Sequence, residues 1–222
     1  MRPSPTTLGL LIALAVGFFL QQVAGLEAMR MLMLWPFGEY QFRAADGGVI
    51  GAGFMPWQLV TYSFLHADLG HLLFNALGVW TFGASLEEYW GRKRFLTFWF
   101  LCVIGAAVVQ LALASSGLSG QGGGPTLGAS GGVYGLLIAF AMMFPHREMM
   151  LLIPPIPMKA RTLAIVFGVI ALLFGLSSTR DGVAHFAHLG GMLAGWLVIR
   201  YWQRRPPFGG GRPKKPRLRS VN

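Results

Sequence analysis

Histidine is the side chain in this sequence best suited to chemistry. Four of the five histidines fall inside long apolar stretches: His66 and His71 in one, His185 and His188 in another. Ionisable groups inside hydrocarbon are costly and mark functional sites by default. His71 and Asn75 are four residues apart, so on a helix they share a face and offer hydrogen-bond donors along one line. The same pair also suits polar adhesion between helices. Ser130 sits in the run Gly128-Ala129-Ser130-Gly131-Gly132-Val133-Tyr134-Gly135, just after a Gly- and Ser-rich segment. A helix starting there leaves backbone N–H groups unpaired beside the serine, where the dipole favours negative charge. That suits a nucleophile whose substrate develops an oxyanion. The competing reading is a close-packing face, since Gly131 and Gly135 form a small-xxx-small pair. Ala184, His188, Gly191 and Gly195 fall on one stripe at spacings of four, three and four. His188 is then the bulky polar member of a small-residue face. Two such faces can bring their backbones close, and that approach would set Ser130 and His188 within the reach a serine–base pair needs.

Other chemistries fit worse. Asp68 and Asp181 lie at the mouths of apolar stretches and Glu87 and Glu88 at an end, so no intramembrane aspartate pair exists. No H-E-x-x-H motif occurs, and no Gly-rich phosphate loop follows a strand. A histidine-only metal site from His66, His71, His185 and His188 is conceivable but is the weaker reading. Asp181 precedes His188 by seven residues, about 10 Å along a helix axis, too far to orient it. His146, beside Arg147, reads as a solvated helix end. The lone Cys102 permits neither an intrachain disulfide nor a cysteine metal site.

The elements that must position these groups are membrane helices. Of 222 residues, 54% are apolar and 12% charged, with mean hydropathy +0.56. Soluble domains carry about 25% charged residues, so a soluble enzyme is excluded. Six apolar stretches stand out: 8–24, 59–86, 95–114, 127–144, 162–176 and 183–202. Each is long enough, or nearly so, to cross ~30 Å of hydrocarbon as a helix. Period-two alternation is absent, which argues against strands. The first stretch also fits a secretory signal, with Arg2, an apolar run and Val23-Ala24-Gly25. An uncleaved span gives an even helix count. The net charge of +10 suits nucleic acid or an anionic membrane, and the hydropathy selects the membrane.

Placing the N-terminus in the cytoplasm puts 15 of the 18 Lys and Arg residues on that side, leaving Arg30, Arg43 and Arg180 opposite. The non-cytoplasmic connections are then 26–55, long and partly apolar, 115–126, rich in Gly and Ser, and the short 177–182. Residues 1–203 form one membrane domain with a core at 57–202, and 204–222 form a basic, disordered tail on an anionic leaflet. No internal repeat is visible, which counts against a transporter of symmetric halves.

Over roughly Trp57 to Trp202 the chain resembles the rhomboid intramembrane serine proteases. The family's His-x-x-x-Asn pattern on the second span appears as His71 to Asn75. Its Gly-x-Ser-Gly motif appears as Gly128 to Gly131, with Tyr134 four residues past the serine. Its Ala-His-x-x-Gly motif on the last core helix appears as Ala187 to Gly191. The three stand in order on the second, fourth and sixth spans. The resemblance implies an all-α membrane protein, a six-helix rhomboid-like bundle with a water-filled cavity open to the non-cytoplasmic side. It implies Ser130 as nucleophile, His188 as general base, and an oxyanion hole from His71, Asn75 and the Ser130 N–H. Tyr134 would stack on His188. Glu87 matches a family carboxylate that ties the end of span two to its neighbours. The family often carries a Trp-Arg pair near the start of span two, where this chain has Trp57-Gln58.

The expected function is an intramembrane serine endopeptidase of the bacterial inner membrane. It would cut transmembrane segments of membrane-protein substrates, with both termini cytoplasmic, in contact with membrane lipids, and with no cofactor and no nucleic acid partner. The rival is a rhomboid-like pseudoprotease that binds membrane clients without cutting them. Loss of Ser130 or His188 would mark it, and both are present. A mitochondrial enzyme is disfavoured because the N-terminus lacks an Arg- and Ser-rich presequence.

Overall fold

The computed structural model of the chain describes residues 4–43, 48–116, 124–150, 155–177 and 183–204. Each apolar stretch carries a principal helix. Helix α1 runs Pro5–Leu32, with proline in its first turn and a kink at Gly25 (φ 75°). The short α2, Gln58–Thr61, continues into a 3-10 turn at Tyr62–Phe64. Helix α3, Leu69–Gly78, passes through a π-helical turn at Val79–Gly83 into α4, Ala84–Trp90. Then come α5, Arg92–Ser115, α6, Ser130–Met143, α7, Ala160–Leu176, and α8, His185–Arg204. The segments Pro5–Gly25, Leu69–Trp90 and Arg92–Ala114 are long and apolar enough to cross a membrane, and Ser130–Met143 and Ala160–Leu176 are shorter apolar helices.

Two features depart from the sequence reading. The stretch 59–86 is not one span, because the chain is non-helical at Leu65–Asp68. Asp68 restarts the helix as its N-cap, its carboxylate accepting from the His71 N–H at 2.8 Å. His66 therefore lies in a linker and not on the span. Strands are also present, confined to connections. β1, Glu39–Arg43, pairs antiparallel with β2, Val49–Gly53, and β3, Glu148–Met150, with β4, Pro157–Lys159. The spans themselves are helical, as the missing alternation requires. The basic run 205–222, Asp181 and Arg180 lie outside the described residues.

The core is built on α5, α6 and α8. Helix α8 packs most extensively against α5 and α6. Phe95, Phe98, Trp99, Cys102 and Val103 of α5 are fully buried. Helix α6 is apolar all round because it is surrounded, with Gly131, Gly132, Gly135, Leu136 and Phe140 among its buried residues. The close approach expected of the small-residue faces is present: a Cβ on Gly191 would collide with the Gly131 backbone oxygen. At the far end, Glu87 of α4 accepts from the start of α1. Its donors are the Ser4 hydroxyl, the Thr6 N–H at 3.0 Å, and the Thr7 N–H and hydroxyl at 2.7 and 2.9 Å. One carboxylate thereby satisfies N–H groups that the first turn of a helix leaves open.

Candidate active site

Helix α6 begins at Ser130 itself. The helix cannot extend back through Gly128, which holds φ +120°, a conformation that side chains rarely tolerate. The segment before the helix is tied on both sides. The Gly128 N–H donates to the Tyr62 carbonyl at 2.9 Å, and Thr126 and Leu34 exchange backbone hydrogen bonds at 2.8 and 2.9 Å. The Tyr62 hydroxyl in turn donates to the Val103 carbonyl of α5 at 2.8 Å. The first N–H bonded back toward the helix is that of Val133, to Ala129 at 3.1 Å. The N–H groups of Ser130, Gly131 and Gly132 come before it, at the positive end of the helix dipole.

Ser130 and His188 meet. Their Oγ and Nε2 atoms are 2.8 Å apart, the reach of a nucleophile and its base. The contact follows from packing: Gly191 seats α8 against the Gly131 backbone, and His188 lies one turn before Gly191. Tyr134, four residues after Ser130, stacks on the His188 ring at 4.2 Å and 5°. His188 is buried, while Ser130 is partly exposed. His185 lies beside the pair and not between its members. Its ring stacks on Phe174 at 5.4 Å and meets His188 edge-on at 6.0 Å.

His71 reaches the segment before Ser130 from α3, and Asn75 follows it by one turn. A Cβ on Gly128 would meet the His71 Cε1 and Nε2 at 2.7 Å, and one on Gly78 would collide with Val133. Residues 71, 75 and 78 form one helix stripe, so Asn75 is level with the turn that holds Ser130. Asn75 is buried. Its Nδ2 donates to the His71 carbonyl at 3.0 Å, and a second amide hydrogen remains. The Ala67 N–H donates to His71 Nδ1 at 3.3 Å. A neutral ring accepting at Nδ1 carries its proton on Nε2, the nitrogen that faces Gly128. Among the described residues no three His, Cys, Asp or Glu side chains converge to hold a metal ion.

Gln58, noted in the sequence only as a missing arginine, turns out to anchor the first connection. It stands where the family often has arginine, and it is almost fully buried. Its Oε1 accepts from the Trp35 and Met55 N–H groups, both at 3.2 Å. Its Nε2 donates to the Gly53 and Met31 carbonyls at 3.2 and 3.4 Å. Trp57 Nε1 adds a bond to the Met31 carbonyl at 2.8 Å. A neutral amide thus gathers four backbone groups of the first connection. The sequence signal was its place after Trp57, where the resemblance leads one to expect arginine.

The family model of the rhomboid domain matches residues 53–205. Rhomboid protein 1, mitochondrial, of Saccharomyces cerevisiae is 31% identical over 149 residues, covering 64% of this chain and 42% of that protein. Rhomboid protease GluP of Bacillus subtilis is 28% identical over 196 residues, 87% of this chain and 34% of the relative. Rhomboid protease GlpG of Yersinia pestis is 25% identical over 210 residues, 92% of this chain and 64% of the relative. The chain spans less than two thirds of the length of each of these relatives. With the rhomboid model covering most of its residues, this chain belongs to the rhomboid family.

Proposed function

We propose that the protein is an intramembrane serine endopeptidase that hydrolyses a peptide bond in, or just outside, the transmembrane helix of a membrane-protein substrate. The observation that carries this reading is the 2.8 Å contact between Ser130 Oγ and His188 Nε2. In the proposed reaction His188 Nε2 takes the hydroxyl proton as Ser130 attacks the carbonyl carbon. Negative charge then gathers on the carbonyl oxygen, beside the Ser130 N–H, the His71 Nε2–H and the free amide hydrogen of Asn75. His188 passes its proton to the departing amine, and water hydrolyses the acyl-enzyme with His188 again as base. Stacking on Tyr134 keeps the imidazole plane fixed through both transfers. Nucleophile, base and donors all belong to the chain, so the reaction calls for no cofactor.

Helix α6 supports an intramembrane site. Its 14 residues rise about 21 Å, about 9 Å short of the hydrocarbon thickness. With the Phe144 end at one membrane surface, Ser130 lies below the other. The substrate is then a segment that unwinds readily, because a helical peptide bond is shielded by its own hydrogen bonds. The basic-residue asymmetry supports both termini in the cytoplasm of a bacterium, residues 1–203 forming the membrane domain and 204–222 a basic tail on the anionic inner leaflet. The test is cleavage of a model transmembrane substrate by purified protein. Wild type cuts, and Ser130→Ala leaves the substrate intact while expression and helicity are unchanged. Cleavage retained by purified Ser130→Ala would remove this serine from the mechanism.

A further inference from the structure

We propose that Gln21, on the first membrane helix, is a positioning residue for His71, acting through the backbone of His66. This rests on the reading of His71 as an oxyanion donor. The Gln21 side chain clamps His66 at both backbone groups: Oε1 accepts from the His66 N–H at 3.0 Å, and Nε2 donates to the His66 carbonyl. The His66 ring is fully buried, and no side chain bonds either ring nitrogen among the described residues. Gln21 is the side chain that holds the main chain carrying this ring. The ring then meets His71 edge-to-face at 5.0 Å and 71°. The next residue, Ala67, donates its N–H to His71 Nδ1. The same linker thus sets both the tilt of the His71 ring and the nitrogen that carries its proton.

Helix α1 is fixed against this linker at a second point. A Cβ on Gly17 would collide with the Phe64 carbonyl oxygen, and Gly17 precedes Gln21 by four residues, on the same helix face. Gly17 lets the backbone approach, and Gln21 uses the approach. A donor must aim at the developing oxyanion to act on it. Loosening the linker therefore lowers turnover and leaves substrate binding alone.

The test is a double-mutant cycle on the full chain, with kcat and KM measured on a model transmembrane substrate and active sites counted by fluorophosphonate titration. Gln21→Met removes both bonds at similar length. It should lower kcat about tenfold, less than outright loss of a donor, with KM within about twofold. In a His71→Ala background the same substitution should change kcat by less than about twofold. A merely structural role would instead repeat its full loss there, and that result, or an unchanged kcat in the single mutant, overturns the inference. Gln21→Glu keeps the acceptor and loses the donor, and it carries the same comparison where Gln21→Met does not fold. Wild-type kcat in His71→Ala alone would overturn the oxyanion reading itself, a result distinct from additivity.

Discussion

Ser130 and His188 meet at the start of α6, His71 lies against Gly128 just before it, and Asn75 is bonded to His71; the proposed reaction gives each a separate task. Ser130 and His188 are in contact at 2.8 Å, while His71 and Asn75 approach from α3 on one stripe with Gly78. His71→Ala and Asn75→Ala should each lower turnover about 10²-fold, the usual effect of losing one oxyanion donor, without abolishing it. Wild-type kcat in both single mutants would make them packing residues. The spacing of these residues was legible in the sequence, because i, i+4 pairs and small-residue stripes are local properties of a helix. His66 was less legible. It sits in an apolar run, and only Asp68, a helix N-cap placed three residues before His71, signalled that the span starts after it. Gln21 was not legible at all, and Gln58 was legible only as a departure from the Trp-Arg pair. Their partners lie 45 residues away for Gln21 and 23 for the Trp35 contact of Gln58, and no periodicity reports such bonds.

Helices α6 and α8 approach through two glycines, Gly131 and Gly191, and in the proposed mechanism this approach sets the Ser130–His188 distance. Gly191→Ala places a methyl group against the Gly131 backbone oxygen and must push the helices apart. Overpacking of this kind costs about 1–3 kcal/mol, and a shift of about 1 Å can lower turnover 10²-fold. We expect Gly191→Ala to remain folded with a lowered Tm and to lose cleavage, measured by thermal unfolding beside the substrate assay. Wild-type turnover in that variant would show that α8 does not set the distance. The helices were readable from apolar runs, and α5, α7 and α8 start within three residues of the predicted positions. The two hairpins were not, because strands of three and five residues are too short to show alternation. Nor could the sequence reveal that Leu34 pairs with Thr126, which links the first connection to the segment that presents Ser130.

At the scale of the whole molecule, one end is tied by Glu87 to the first turn of α1, and the other carries the site. The distribution of Lys and Arg predicts which end faces the cytoplasm. Reporter fusions at Asn222 and within residues 115–126 should report opposite sides, with Asn222 cytoplasmic. The same side for both would overturn the six-span arrangement. The central claim is that His188 activates Ser130, and fluorophosphonate labelling of the detergent-solubilised protein tests it most directly. Mass mapping should find one adduct, on Ser130, in wild type and in His185→Ala, and none in His188→Ala. An adduct on another residue, or labelling of Ser130 that persists without His188, would contradict the account.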